Sequence, residues 1–326
     1  MSIVNLLELE GNKVSTDFNS YSLLLYGVPK IGKTELITNL YDKEKTLILA
    51  FEAGTKNIPG VKYVAIDSYS TLMNYVNQLK NPKVREKFDT IVFDTLDKFA
   101  FVCKKYVLDN YGKDTLGDAK SHGGAYEIFD AKALAAILPL QGMDYNLAYI
   151  SHSDSVEKTD LTGNKYNRFI IKAPKRIANL VKPEVDYIWF GYRLENNERV
   201  IYTRETAYFE AGSRVGQMPP ELPWDANKIK EIFAENVAKD VDDNFITEEK
   251  VSQSVAYKEK VSFEDIMNEI KTLGNELFNN GKQNECNEIL ARELGTDDNG
   301  NQRTLDKCTA TQIPVLEVIL QQLKSL

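Results

Sequence analysis

The spacing of apolar and polar positions predicts strands that alternate with helices over residues 1–239. The apolar runs at 46–51 and 91–94 lack polar alternation, which is typical of strands that are covered on both faces. The predicted strands cover residues 22–26, 46–51, 63–66, 91–94, 147–151, 186–191, 199–203 and 208–210. The predicted helices cover residues 35–40, 70–80, 96–111, 126–138 and 226–238. This alternation predicts an α/β fold with a mainly parallel sheet between helices.

The C-terminal part of the chain has a different pattern. Residues 240–261 are polar and acidic with few large apolar side chains, as in a linker. Three later segments have the apolar spacing of amphipathic helices, at residues 263–278, 284–294 and 311–323. We therefore expect an α/β domain at 1–239, an acidic linker at 240–261 and a small all-α domain at 262–326.

The formal charge of −8 is concentrated in the C-terminal part. Residues 240–326 contain 17 acidic and 9 basic side chains, so residues 1–239 are neutral overall. An acidic C-terminal part is poorly suited to binding nucleic acid, whereas a neutral first part still allows a local basic groove.

Composition excludes several classes of protein. With 43% apolar and 27% charged residues, the chain is an ordinary globular protein. No apolar run approaches the ~18 residues of a membrane span, and the first residues lack the basic start of a signal peptide. Cys103, Cys286 and Cys308 match no metal-ligand spacing, which favours reduced thiols. We expect a cytoplasmic protein without a membrane segment.

One short stretch matches a motif with known chemistry. It fits G-x-x-x-x-G-K-S/T, the phosphate-binding loop, and lies between a predicted strand and a predicted helix. Its residues are Gly27, Val28, Pro29, Lys30, Ile31, Gly32, Lys33 and Thr34. The glycines let backbone N–H groups point at phosphates, Lys33 is expected to reach the β- and γ-phosphates, and Thr34 to hold Mg²⁺. A chance glycine-rich turn is the alternative, but the flanking elements favour nucleotide binding.

Two carboxylates end predicted strands near this loop. Asp94 follows the apolar run 91–93 and is expected to help hold Mg²⁺, unless it only caps the next helix. Glu52 ends the strand after the loop helix, where a carboxylate can orient the water that attacks the γ-phosphate. Glutamate at a strand end is common, so this second prediction depends on position alone.

Two further polar residues are candidates for the same reaction. His152 ends a later strand and could sense the γ-phosphate through a hydrogen bond; the alternative is a solvated loop histidine. Arg214 lies in a glycine-flanked turn and could reach the phosphates of a neighbouring subunit as an arginine finger; the alternative is a surface arginine.

A basic run follows His152. Residues 158–182 contain seven basic side chains and one acid, with two aromatic residues between them. Basic residues neutralise phosphates and aromatic rings stack on unpaired bases, so the run indicates contact with nucleic acid. The candidate contacts are Lys158, Lys165, Tyr166, Arg168, Phe169 and Lys172. The alternative is a solvated charged face.

The order of the loop, Glu52, Asp94 and His152 resembles that of the RecA-like P-loop ATPases. In that family the catalytic glutamate follows the second strand, whereas AAA+ proteins place it beside the Walker B aspartate; here Asp94 is followed by Thr95. The sequences of residues 26–34 and 210–219 look most like those of phage RecA-like proteins of the single-strand annealing or recombination type. The resemblance covers about residues 20–225.

The resemblance implies an ATPase that uses ATP and Mg²⁺ and is stimulated by single-stranded DNA. It also implies a homo-oligomer, as a filament or a ring, in the cytoplasm of a bacterial host. By the same analogy, residues 114–126 and 158–172 overlap two DNA-binding loops, and Arg214 resembles the finger of DnaB-type hexameric helicases.

Two other functions fit the same residues. One is a DnaB-like motor or replication accessory ATPase. The other is a nucleotide-switched protein-binding module with little turnover. In each case we expect the C-terminal helices to bind a protein partner or to tune assembly.

Overall fold

The computed structural model describes residues 11–120, 123–214, 218–251, 262–296 and 300–326. The chain divides into two compact units, Met1–Tyr257 and Lys258–Leu326. All three cysteines are free thiols. Among the helices of the described ranges, none has both the length and the apolar character needed to cross a bilayer.

A ten-stranded sheet forms the centre of the first unit. Its strands in chain order are β2 Leu23–Gly27, β3 Thr46–Ala50, β4 Lys62–Ala65, β5 Thr90–Asp94, β6 Asn146–Thr159, β7 Lys165–Ile171, β8 Tyr187–Arg193, β9 Arg199–Tyr202, β10 Gly212–Ser213 and β11 Glu221–Pro223. A separate two-stranded sheet consists of β1 Val14–Ser15 and β12 Ile246–Thr247. The main path of the sheet is β11-β9-β8-β2-β6-β5-β3-β4. From β8 to β4 the neighbours are parallel, whereas β9 and β11 are antiparallel additions.

Helices cover both faces of this sheet. They are α1 Lys33–Leu40, α2 Tyr69–Leu79, α3 Pro82–Arg85, α4 Leu96–Tyr111, α5 Leu116–Ala119, α6 Gly124–Gly142, α7 Lys175–Val181 and α8 Ala226–Asp240. Side chains of α2, α4, α6 and α7 build the core on one face, and those of α1 and α8 build the core on the other. The predicted α/β fold with a mainly parallel central sheet is therefore confirmed. The uninterrupted apolar runs of β2, β3 and β5 are buried along their whole length, as strands between two helical layers must be.

Two predicted segments differ from the structure. The basic segment after His152 is a β-hairpin, because β6 continues to Thr159 and pairs antiparallel with β7. Residues 208–210 were predicted as a strand, and this prediction is wrong: they contribute one isolated bridge, between Phe169 and Phe209. The next pairing after this bridge is with β8 and begins at Gly212.

Part of the segment predicted as a linker packs on the first unit. Within residues 240–261, β12 pairs in parallel with β1, and the Val251 backbone N–H donates to Ser20 Oγ at 3.0 Å. The two units divide between Tyr257 and Lys258, later than the predicted boundary at 239. Residues 252–261 lie outside the described ranges. The acidic composition of this segment therefore did not reveal that residues 246–251 contact β1 and Ser20 of the first unit.

The described residues of the second unit contain three α-helices, α9 Phe263–Asn279, α10 Gln283–Leu294 and α11 Ile313–Lys324. Their apolar faces meet in a separate small core, in which Ile266, Ile270, Leu316 and Ile319 are almost fully buried. The amphipathic spacing explains this packing, because each helix has one apolar face to bury.

Candidate functional site

The phosphate-binding loop leaves the carboxyl end of β2 and enters α1 at Lys33. Its turn uses left-handed backbone at Lys30, with φ 62°, and at Gly32, with φ 98°. A β-carbon at Gly27 would lie 2.4 Å from the carbonyl oxygen of Gly191 on β8, so only glycine fits at that point. The glycine spacing of the motif therefore has two separate causes, a close strand contact and a left-handed turn.

The side chain of Lys33 is buried and folds over the loop. Its Nζ donates hydrogen bonds to the carbonyl oxygens of Gly27 at 3.0 Å and Val28 at 2.9 Å. Burial lowers the pKa of Lys33 to about 8, against the opposing effect of nearby carboxylates, first among them Asp94. The ammonium therefore lies inside the turn that would surround a phosphate, and a phosphate oxygen could replace the carbonyls as its partner.

Thr34 and Asp94 lie side by side at the edge of the sheet. Thr34 Oγ1 donates to Asp94 Oδ2 at 2.9 Å, and Thr55 Oγ1 donates to the same oxygen at 3.4 Å. Burial raises the pKa of Asp94, and the negative charge of Glu52 raises it further. The N-cap position of α4 is occupied by Thr95 and not by Asp94. A hydroxyl and a buried carboxylate at hydrogen-bonding distance are oxygen ligands of the kind that Mg²⁺ prefers, so the residues fit that ion.

Glu52 and His152 lie next to this pair. Glu52 Oε1 accepts a hydrogen bond from Thr95 Oγ1 at 3.2 Å and lies 3.8 Å from His152 Nδ1. Parallel pairing explains the convergence, because Gly27 is in register with His152 and Ala50, two residues before Glu52, is in register with Asp94. The structure thus brings the four predicted elements of the site together at one edge of the sheet.

Asp97 joins the site and was not singled out from the sequence. Its Oδ2 lies 3.1 Å from His152 Nδ1, and its Oδ1 accepts from the His152 backbone N–H at 3.2 Å and from Ser151 Oγ at 3.3 Å. Burial opposes ionisation of Asp97, but the hydrogen bonds from His152 prevail and lower its pKa to about 2. Since an ionised carboxylate only accepts hydrogen bonds, Nδ1 carries the proton and Nε2 is left for another partner.

A signal for Asp97 was present in the sequence. It lies three residues after Asp94, in the first turn of the following helix, so its side chain starts near the same sheet edge. Glu52, Asp97 and His152 also form a group whose ligand atoms lie within 4.8 Å of one another. The site therefore contains two carboxylates near Nδ1 of the imidazole.

The β6–β7 hairpin separates the predicted DNA contacts into two faces. Lys158 pairs with Tyr166 and Val156 with Arg168, and paired residues lie on the same face of a hairpin. By the same alternation, the face of Lys158, Tyr166 and Arg168 also contains His152. Lys165 and Phe169 belong to the opposite face.

Several of these side chains already have partners. Lys165 forms an ion pair with Glu157 at 2.8 Å, and Arg168 forms one with Glu205 and also donates to two carbonyl oxygens. Among the described residues, no ion pair is seen for Lys158 or Lys172. Fewer basic side chains of the hairpin are therefore available to contact DNA phosphates than the sequence suggested.

The two aromatic residues of the hairpin differ. Phe169 lies 5.2 Å from Phe190 and 5.6 Å from Tyr192, between ring centroids, and packs against the edge of the core as a partly buried ring. These contacts leave less of its ring available for stacking on a base than the sequence suggested. Tyr166 has one ring contact, edge to face with Tyr208 at 5.6 Å, and lies on the face that contains His152.

Arg214 does not lie near the loop of its own chain. It follows β10, which pairs with the start of β8 at Tyr187 and Ile188, and its backbone N–H donates to Asp186 O at 2.8 Å. Its guanidinium donates to the carbonyl oxygen of Pro183. The loop lies at the other end of β8, beside Gly191. The segment 114–126, likened to a DNA-binding loop, contains α5 and the start of α6, and its residues 121–122 lie outside the described ranges.

Comparison with known proteins agrees with the loop and the sheet. A family model described as an AAA domain, AAA_24, matches residues 19–215. The chain is also similar to the SPbeta prophage-derived uncharacterized protein YorG of Bacillus subtilis strain 168, with 28% identity over 316 residues and coverage of 93% of each chain. Because the family model matches more than half of the sequence, the chain belongs to this AAA domain family of P-loop NTPases.

Proposed function

We propose that this chain is a RecA-like ATPase of phage type that binds single-stranded DNA and assembles with copies of itself. The observation that carries the proposal is the position of Glu52, at the end of β3 and beside His152, with Thr95 and not an acid after Asp94. That arrangement matches the RecA-like placement of the general base. The similarity to a prophage-derived protein supports the phage type.

Each residue of the site has a role in this reaction. Lys33 neutralises charge on the β- and γ-phosphates, and Glu52 orients and deprotonates the attacking water. His152, held by Asp97, presents Nε2 toward the γ-phosphate. Thr34 and Asp94 would hold Mg²⁺, which supplies positive charge to the phosphate oxygens when it is bound.

The hairpin supports the second part of the proposal. β6 begins in the buried sheet, passes through His152 and continues without interruption to Lys158. DNA bound to the face of Lys158, Tyr166 and Arg168 would therefore be connected to the nucleotide site through one strand. We place Lys172 in the same set, because its backbone N–H donates to His152 O at 2.9 Å.

Assembly would give Arg214 its role. In its own chain it lies at the end of β8 away from the loop, so it can act as a finger only on the site of a neighbouring subunit. One repeated interface of this kind gives a ring if it closes and a filament if it does not. A DnaB-like motor needs the same finger, and unwinding of a forked duplex is the activity that distinguishes the motor.

A nucleotide-switched protein-binding module is the second candidate. Its support is the ion pairing of Lys165 and Arg168 and the packing of Phe169 against Phe190, which leave fewer groups for DNA than the sequence suggested. In that case the hairpin would be a structural arm and the C-terminal helices would bind the partner.

The test is ATP hydrolysis measured with and without an oligothymidine, with a double-stranded oligonucleotide of equal length as the control. We expect Mg²⁺-dependent hydrolysis that single-stranded DNA increases. Hydrolysis that is unchanged by DNA would favour the switch module, and absence of both hydrolysis and nucleotide binding would contradict the ATPase assignment itself.

A further inference from the structure

A second feature adjoins the phosphate-binding loop on the side away from Glu52. A cavity of about 360 Å³ lies between the first turns of α1 and the start of α8, and its walls include Glu35, Asn39, Arg199, Trp224 and Asn227. Its volume falls in the range of ~300–1,000 Å³ that small-molecule sites occupy. None of these residues belongs to the phosphate-binding loop motif or to the basic run.

Two of the lining side chains are held firmly against the loop. Arg199 Nη1 donates to the carbonyl oxygen of Ile31 at 3.1 Å, and its guanidinium carbon lies 5.5 Å from the centre of the Trp224 ring. The indole is so close to the backbone that a β-carbon at Gly191 would lie 2.7 Å from it, and one at Gly32 would lie 3.5 Å from its Nε1. The partly buried indole and the solvent-exposed guanidinium therefore lie together beside the loop, at the wall of the cavity.

The order of the strands shows which part of a nucleotide would reach this cavity. Asp94, Glu52 and His152 come from β5, β3 and β6, which all lie on one side of β2. The γ-phosphate must face these residues, because they are the groups that would act on it. The ribose and base must then leave the loop on the other side of β2, toward β8 and β9, where Arg199 and Trp224 lie.

We propose that this cavity is the nucleobase site, with Trp224 and Arg199 as the stacking surfaces. The inference rests on the proposed nucleotide binding and adds the part of the ligand that the phosphate loop does not recognise. Indole and guanidinium offer flat faces to a base. The amides of Asn39 and Asn227 each supply donors and an acceptor for its edge, and the carboxylate of Glu35 supplies acceptors. The site therefore suits a nucleoside triphosphate better than a bare phosphate chain.

The first test compares ATP with inorganic tripolyphosphate, which keeps the phosphate chain and lacks the base. Calorimetric titration of Trp224→Ala should show ATP affinity reduced roughly 5-fold or more, as loss of one stacked base predicts, with tripolyphosphate affinity unchanged. Trp224→Phe, which keeps a ring, should recover most of the loss. Equal loss for both ligands would mean that Trp224 only supports the loop, and equal affinity to the parent protein would remove it from the site; either result overturns the inference.

Lys33→Ala separates this inference from the proposed function. That variant should lose affinity for both ATP and tripolyphosphate, because the proposed role of Lys33 is to bind the phosphates that both ligands have. If Lys33→Ala binds both ligands like the parent protein, the nucleotide site itself is wrong. If Lys33→Ala loses both while Trp224→Ala loses neither, only the base site is wrong.

A fluorescence measurement tests the same site without changing the cavity. The chain has two tryptophans, and Trp189 is fully buried in the sheet. In a Trp189→Phe background the emission reports Trp224 alone. ATP should quench or shift this emission, and tripolyphosphate should not. An identical response to the two ligands, or a response to neither at saturating ATP, would contradict stacking of the base on Trp224.

Discussion

The edge of the sheet around Lys33 and the β6–β7 hairpin are organised in opposite ways. The sheet edge collects residues that are far apart in sequence, on β2, β3, β5 and β6, and places their polar atoms within a few ångströms. The hairpin is a continuous stretch of basic sequence whose charges are partly cancelled by distant acids such as Glu205. The site predicted from residue spacing is therefore assembled in the structure. The positive charge predicted from local composition is partly neutralised by acidic residues of other segments.

The largest effect is expected from Lys33→Ala. Removal of this ammonium should abolish measurable ATP turnover, because no other cation of the loop reaches the β- and γ-phosphates. Phosphate release under saturating ATP is the measurement. Lys105→Ala, which removes an exposed ammonium from α4, is the matched control and should hydrolyse ATP like the parent. Normal turnover in Lys33→Ala would show that the sheet edge is not the catalytic region.

Glu52→Gln should reduce turnover by about 10²-fold and keep ATP binding, since loss of a general base typically has that cost. The rate of single-turnover hydrolysis and the affinity for ATP are both measured, for the variant and for the parent protein. Glu195→Gln, in an exposed turn between β8 and β9, controls for the loss of one negative charge. Turnover equal to the parent would assign the base elsewhere and weaken the RecA-like placement.

The hairpin face that contains His152 is expected to bind DNA. Joint replacement of Lys158, Arg168 and Lys172 with alanine should weaken binding of an oligothymidine and spare basal ATP hydrolysis. Each lost phosphate contact flattens the slope of log affinity against log salt by ~0.7 for a single strand, so three contacts flatten it by about 2. Fluorescence anisotropy at several salt concentrations is the measurement.

Variants on the same hairpin sharpen this result. Lys165→Ala, on the opposite face and paired with Glu157, should change affinity and slope much less than the triple variant. Tyr166→Ala should cost about 1–3 kcal/mol with little change in slope, if a base stacks on the ring. Unchanged binding in the triple variant would mean that the hairpin is a solvated arm, and the switch module would then be the better interpretation.

The smallest effect is expected from Asp97→Asn, which changes the stability of the fold. The pKa of Asp97 is lowered from the ordinary 3.8 to about 2 in the folded protein, so its carboxylate stabilises the fold above about pH 4 and loses this effect as the pH falls toward 2. Asp97→Asn should therefore destabilise the protein by ~1–2 kcal/mol at neutral pH. The difference in unfolding temperature between the two proteins should shrink as the pH falls below 4. A difference that grows in acid would contradict the assigned hydrogen bonds.

The sequence predicted the sheet edge well because its signals were local. The strand, the loop and the start of α1 are contiguous, and Asp94 and Glu52 each end an apolar run, so parallel pairing alone brings them together. Asp97 could not be found in this way. Its role depends on His152, 55 residues later, and no local pattern reports that contact.

The packing of the hairpin and of the predicted linker was harder to predict from the sequence, for a related reason. Phe169 is an aromatic residue in a basic run, yet its ring is partly buried because β7 places it against Phe190. The polar sequence near residues 240–251 reads as a spacer, yet Ile246 pairs with Val14. In both cases the partner lies in a distant segment, and composition contains no information about which segment that is. Trp224 and Arg199 are further examples, since each is recognised only through its contact with the loop.

The unbroken course of β6 has a thermodynamic consequence. A single strand of 14 residues contains both His152 and Lys158, with no turn between them at which motion could be absorbed. If γ-phosphate contact at His152 changes the affinity of the hairpin for DNA by some factor, DNA must change the affinity for the nucleotide by the same factor. Measured in either direction, this coupling free energy is one quantity, so a variant that uncouples the two ligands must do so for both.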